Sequence, residues 1–130
     1  MQRHIIEVPV ISESIRKLGA PTSALVRAGD MLYTCGMPPI DWRTGEIVRG
    51  DISTQTKAAL DALAFTLDFA GSSLDRAVKT LVFVADTSMM GDLNAVYRQY
   101  FTDGFPARTC VAINTWPLFD VEIECIAPAS

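Results

Sequence analysis

The chain has 130 residues, 49% of them hydrophobic and 20% charged, which is the size and composition of a single folded domain spanning 1–130 and not of a disordered or low-complexity segment. Fifteen acidic residues outnumber 11 basic ones, and the net charge of −4 repels phosphate backbones, so nucleic acid is not an expected partner. No stretch reaches the roughly 20 apolar residues of a membrane span and no leader of charged then apolar residues opens the sequence, so no membrane partner is expected and the expected location is cytoplasmic.

In chain order, His4 to Val8 reads as a short strand ended by Pro9, and Ser12 to Ala24 reads as loop because of Gly19 and Pro21. Ala24–Ala28 and Met31–Gly36 flank Gly29-Asp30, a two-residue connection of the kind that closes a hairpin. Pro38-Pro39 ends the second strand, and Thr44-Gly45-Glu46 marks a turn before Ile47-Val48. From Ser53 the apolar period changes to about 3.6, with Leu60, Leu63, Ala64 and Leu67 on one face; Asp51 or Ser53 can cap this helix and Gly71 can end it. Ala77 to Ala85 is a nearly continuous apolar run, expected as a central strand. Gly91 to Phe101 forms a second helix with Leu93, Val96, Tyr97, Tyr100 and Phe101 on its apolar face. Two closing strands, Arg108 to Ile113 and Val121 to Ala127, are joined around Trp116-Pro117. This order gives an α+β domain, a mixed sheet with two helices packed on one face. A mean hydropathy of +0.24 leaves surplus apolar surface, which burial between identical subunits would remove.

Arg108 opens a strand directly after Phe105-Pro106-Ala107. Its planar fork of donors suits a carboxylate, and the position equally suits a solvated strand end or a structural ion pair. Glu122 and Glu124 alternate with apolar residues and share one strand face, either as a solvated edge or as a polar site shared with a cation. Pairing of the two closing strands as a hairpin would bring one glutamate beside the arginine. Cys110 falls on the face of Arg108, and Cys35 sits between Thr34 and Gly36; with the lone His4 far from both, each thiol reads as a buried inert cysteine or a nucleophile without a base. Three cysteines in no zinc spacing, with one histidine, point to free thiols in a reducing compartment and to no metal site.

The run Phe105-Pro106-Ala107-Arg108-Thr109-Cys110-Val111, followed by Val121-Glu122-Ile123-Glu124, resembles the C-terminal signature of the RidA/YjgF family of reactive-intermediate imine deaminases, also known as endoribonuclease L-PSP. The resemblance extends through Thr34-Cys35-Gly36 with Pro38, Thr44-Gly45-Glu46, Val78-Lys79-Thr80, Val82-Phe83-Val84, Asn94 and Tyr97, and so covers most of the chain. It implies a chorismate-mutase-like fold assembled as a homotrimer, with sites in the clefts between subunits and no cofactor. It also implies hydrolysis of enamine or imine intermediates, 2-imino acids, to 2-keto acids and ammonia. Arg108 would bind the substrate carboxylate and Glu122 would position the attacking water, with Thr34, Cys35, Gly36 and Cys110 lining the pocket. Thr22 stands where many deaminating members carry a tyrosine after Gly-Pro, Cys35 where a serine is common, and Asn114-Thr115-Trp116 where small and aliphatic residues are usual. A non-catalytic trimer that holds small carboxylates would need Arg108 alone. A ribonuclease is disfavoured by the acidic charge and single histidine.

Overall fold

The structure, a computed structural model, describes residues 2–114 and 116–130; Thr115 of the Asn114-Thr115-Trp116 segment lies outside the described residues. Along the chain run β1 (Arg3–Ile6), α1 (Ile11–Lys17), β2 (Leu25–Ala28), β3 (Met31–Thr34), α2 (Ile52–Phe69), β4 (Lys79–Val84), α3 (Met90–Arg98), β5 (Ala107–Ala112) and β6 (Val121–Pro128). The strands form one mixed six-stranded sheet in the order β1-β2-β3-β6-β4-β5, and the fold is the expected α+β class.

Local chemistry accounts for most of these boundaries. β2 and β3 pair antiparallel across Gly29, whose φ of 56° is the left-handed value that the tight connection requires. Asp51, not Ser53, caps α2: its side chain accepts the Thr54 N–H at 2.8 Å. Beyond the C-terminus of α2, Gly71 takes a φ of 87°. Leu60, Leu63 and Leu67 of α2 and Leu93 and Tyr97 of α3 are buried with Val82, Val84, Val121 and Ile123 of the sheet.

The structure corrects two expectations about elements. Ile11–Lys17, which overlaps the stretch Ser12 to Ala24 expected as loop, is a third helix that buries Ile11 and Ile15, one turn apart. The Ser12 hydroxyl accepts the Val8 N–H at 2.8 Å, Ser14 donates to the Gly45 carbonyl at 2.7 Å, and Glu13 pairs with Arg16. Polar residues that suggested a loop are thus the helix's own anchors. Ile47-Val48 contributes only an isolated bridge between Ile47 and Ile40.

The other correction concerns the closing strands. β5 and β6 do not pair as a hairpin; β4 lies between them, parallel to β5 and antiparallel to β6. Val82 and Val84 are buried on one face of β4 and Leu81 and Phe83 half-buried on the other, so this strand gains most from neighbours on both edges. α3 is the crossover that returns the chain parallel to β4, placing β5, with its Arg108 and Thr109, at the sheet edge.

The register assigns each side chain a face. Thr80, Val82 and Val84 lie under the helices, level with Arg108, Cys110 and Ala112 of β5 and with Cys125, Ile123 and Val121 of β6. The opposite face carries Tyr33, Leu81, Phe83, Glu122, Glu124 and Val111, turned away from the helices among the described residues. Ile5 on β1 and Tyr33 on β3 are respectively 60% and 42% exposed on this open face.

Candidate functional site

Arg108 is held from the helix side. Its Nη1 donates to the Asn94 side-chain oxygen at 2.8 Å, and its guanidinium carbon lies 4.8 Å from the centre of the Tyr97 ring. The Tyr97 hydroxyl is in turn hydrogen-bonded to Thr80 Oγ1 at 2.7 Å inside the core. Asn94, Tyr97 and Arg98 share one side of α3 because they are three and four positions apart. With Phe105, Pro106 and Arg108 they line a cleft of about 190 Å³. Phe105 is 61% exposed, and its ring centre is 6.4 Å from that of Tyr97. Among the described residues no carboxylate lies within ion-pair distance of Arg108, so the ion-paired arginine that the sequence left open is not found; the half-buried guanidinium is positioned by neutral groups, with its remaining donors towards the cleft. Cys110, one pleat further on, has its thiol pKa raised by burial and partly offset by Arg108.

Glu122 sits on the open face, level with Phe83, and Glu124 level with Leu81. Burial, and then the like charge of Glu124, push the Glu122 carboxyl up to about 7. Gly36 makes this possible, since a Cβ there would collide with the Glu122 carboxylate. The close approach comes from a bulge: Tyr33 pairs with Ile126 and Met37 with Ile123, leaving one extra residue on the Thr34-Cys35-Gly36 side. The Thr34 hydroxyl stitches the bulge, donating to the Cys35 carbonyl at 2.8 Å and accepting the Cys125 N–H at 3.0 Å. The Cys35 thiol is pushed up to about 12 by burial and by Glu122, and Cys125 also to about 12, chiefly by burial, so neither is a thiolate at neutral pH. Exposed Thr22 joins Arg3, Pro21, Tyr33, Thr34 and Cys35 around an open cleft of about 510 Å³.

Of the residues singled out from the sequence, Thr34, Cys35, Gly36 and Glu122 therefore gather around one bulge, with Thr22 across the adjoining cleft. Arg108 and Cys110 stand on the other face of the sheet, with β4 between their strand and that of Glu122. The expected closeness of arginine and glutamate through a hairpin is not found within one chain. Asn94 and Tyr97 were not recognised from chemistry as the supports of Arg108; their three-residue spacing on a helix was the available signal. Among the described residues, no group of three His, Cys, Asp or Glu is arranged to hold a metal ion.

A profile of the family described as Endoribonuclease L-PSP matches residues 15–129. The chain belongs to the RidA/YjgF family. A RutC family protein of Sulfurisphaera tokodaii is 39% identical over 119 residues, covering 89% of this chain and 95% of that protein. Among solved structures, a protein of unknown function of the conserved Rid protein family, YyfA from Yersinia pestis, superposes with a TM-score of 0.86 at 32% identity, covering 98% of this chain and 99% of the other. E. coli TdcF with bound serine gives 0.77 at 32% identity, covering 85% and 90%. RidA/YjgF membership thus agrees with the motif around Arg108 and with the six-stranded fold.

Proposed function

We propose that this RidA/YjgF protein hydrolyses 2-imino acids to 2-keto acids and ammonia, in sites built where two copies of the chain meet. The observation that carries the reading is the state of Glu122: a half-buried carboxyl raised to about 7 can both take and return a proton near neutral pH. Arg108 supplies the complementary need. Its free donors can fix a substrate carboxylate, and fixing the carboxylate fixes the adjacent C=N carbon.

In this reading Glu122 accepts a proton from water as the water oxygen bonds to the imine carbon and the C=N electron pair moves onto nitrogen. The nitrogen takes up the proton carried by Glu122 and, as the carbonyl forms, the proton of the new hydroxyl; the C–N bond breaks and ammonia leaves. Glu122 has then returned the proton that it borrowed. The sheet separates Arg108 from Glu122 in one chain, so a small substrate can touch both only if a second copy contributes one of them. A homotrimer with three such clefts also covers the apolar open face around Tyr33, Leu81 and Phe83. Cys110 borders the Arg108 side, while Thr22, Thr34, Cys35 and Gly36 shape the Glu122 side. Three free thiols suit a reducing compartment such as the cytoplasm.

A second reading, a trimer that binds small carboxylates without turnover, is favoured by the serine bound to E. coli TdcF and by the completeness of the Arg108 support in a single chain. Ammonia release from 2-aminoacrylate and 2-iminobutanoate, generated in situ by a dehydratase, separates the two. Wild-type protein is expected to accelerate release, and Arg108→Ala and Glu122→Gln to lose the acceleration. Equal decay with and without protein would leave the binding reading.

A further inference from the structure

The cleft beside Arg108 contains a second cation that hydrolysis of a simple imino acid leaves unused. Arg98 lines the same space as Arg108, exposed on the α3 turn that also carries Asn94 and Tyr97. The residues lining the cleft include no aspartate or glutamate, and among the described residues neither guanidinium has an ion-pair partner. Arg16 is matched by Glu7 and Glu13, and Arg27 lies 3.9 Å from Asp30, whereas the other arginines pair with no aspartate or glutamate among the described residues; what distinguishes Arg98 and Arg108 is that they line one cleft together. Two arginines and no carboxylate lining one cleft are a local reversal of charge in a chain whose net charge is −4. The cleft walls between the polar groups are apolar: the exposed Phe105 ring, the Tyr97 ring and Pro106.

We infer that the preferred substrates carry a second carboxylate, and that Arg98 is the residue that selects for it. This rests on the reading of Arg108 as the clamp for the carboxylate next to the imine carbon. A diacid then has its far carboxylate to offer Arg98, with its short methylene chain against Phe105 and Pro106. A monoacid of equal length leaves the Arg98 charge unanswered and places a methyl group beside it. The class of reaction that supplies such a substrate is two-electron oxidation of the amine of an acidic α-amino acid by a separate oxidoreductase, with a flavin or nicotinamide as the acceptor, which releases an imino diacid. The product is the corresponding 2-oxo diacid.

The test is titration calorimetry of the assembled protein at low ionic strength with 2-oxoglutarate and with 2-oxopentanoate, which carries a methyl group in place of the far carboxylate. Wild type is expected to bind the diacid about tenfold more tightly or better, the scale of one charge-assisted contact. Arg98→Met should collapse that ratio towards one, and Arg98→Lys should keep part of it, which separates charge from folding. Equal affinities in wild type, a ratio untouched by Arg98→Met, or no binding of either ligand would each overturn the inference. Ammonia release is measured alongside with 2-iminoglutarate and 2-iminobutanoate. Diacid preference without turnover keeps the inference and removes hydrolysis, whereas turnover with equal affinities removes the inference and keeps hydrolysis.

Discussion

The two faces of the sheet at β4 treat their charged groups in opposite ways. Under the helices, Arg108 is settled: an amide oxygen, an aromatic face and the Tyr97–Thr80 hydrogen bond hold it, and no carboxylate among the described residues pairs with it. On the open face, Glu122 is unsettled: it is partly desolvated, lies near a like charge and packs against a glycine. A settled cation suits binding, which needs a fixed geometry. An unsettled carboxylate suits proton transfer, which needs a pKa near the working pH. The comparison teaches that one chain puts its held cation and its desolvated carboxylate on opposite faces, so the proposed hydrolysis needs an interface between copies to join them.

Subunit complementation tests that separation with the largest expected effect. Arg108→Ala and Glu122→Gln are each expected to lower turnover by about a hundredfold or more, the usual scale for a lost positioning or general-base group. Co-expressed with different tags and purified as mixed trimers, they should recover about a third of wild-type activity, because one of the three interfaces then unites an intact Arg108 with an intact Glu122. Mixed oligomers that stay as inactive as their parents would place both groups in one chain's site and break the comparison.

Thr34→Val probes how the open face is held in place. It removes the hydroxyl that accepts the Cys125 N–H and donates to the Cys35 carbonyl, leaving a buried donor unsatisfied. A loss of about 1–3 kcal/mol in urea unfolding is expected. An unchanged midpoint would mean that the bulge does not depend on this stitch.

Glu124→Gln carries the smallest expected effect. With Glu122 raised to about 7, the deprotonated form that the proposed hydrolysis uses accumulates as pH rises through neutrality, so the rate should climb across that range. Burial is the larger cause of the shift and Glu124 the lesser. Removing the Glu124 charge should therefore move the rising limb to lower pH by a fraction of a unit, read from the pH profile of kcat/KM. A limb that moves upward would contradict the like-charge account.

Periodicity and turn chemistry alone located the β2–β3 hairpin, α2 with Gly71 beyond its end and a cap left between Asp51 and Ser53, the central β4 and the Leu93–Tyr97 face of α3, since each is a local property of a few consecutive residues. α1 escaped because its seven residues offer only two core positions, Ile11 and Ile15, among polar residues whose partners, Val8 and Gly45, are contributed from outside the helix. The site residues were legible as types: an arginine opening a strand, two alternating glutamates, a glycine after a small polar pair. Their arrangement was not, because sequence adjacency of β5 and β6 suggests a hairpin, whereas the apolar β4 gains more by taking the place between them.

What the sequence by itself determined is therefore the fold class, most elements and the family, all of which are carried by short-range pattern and motif. Only the tertiary structure decided that Arg108 and Glu122 face opposite ways, that Asn94 and Tyr97 hold the arginine, and that Glu122 approaches Gly36 closely enough to lose water. These depend on register and strand order, which are set by the summed burial of distant residues and not by any neighbour in the chain.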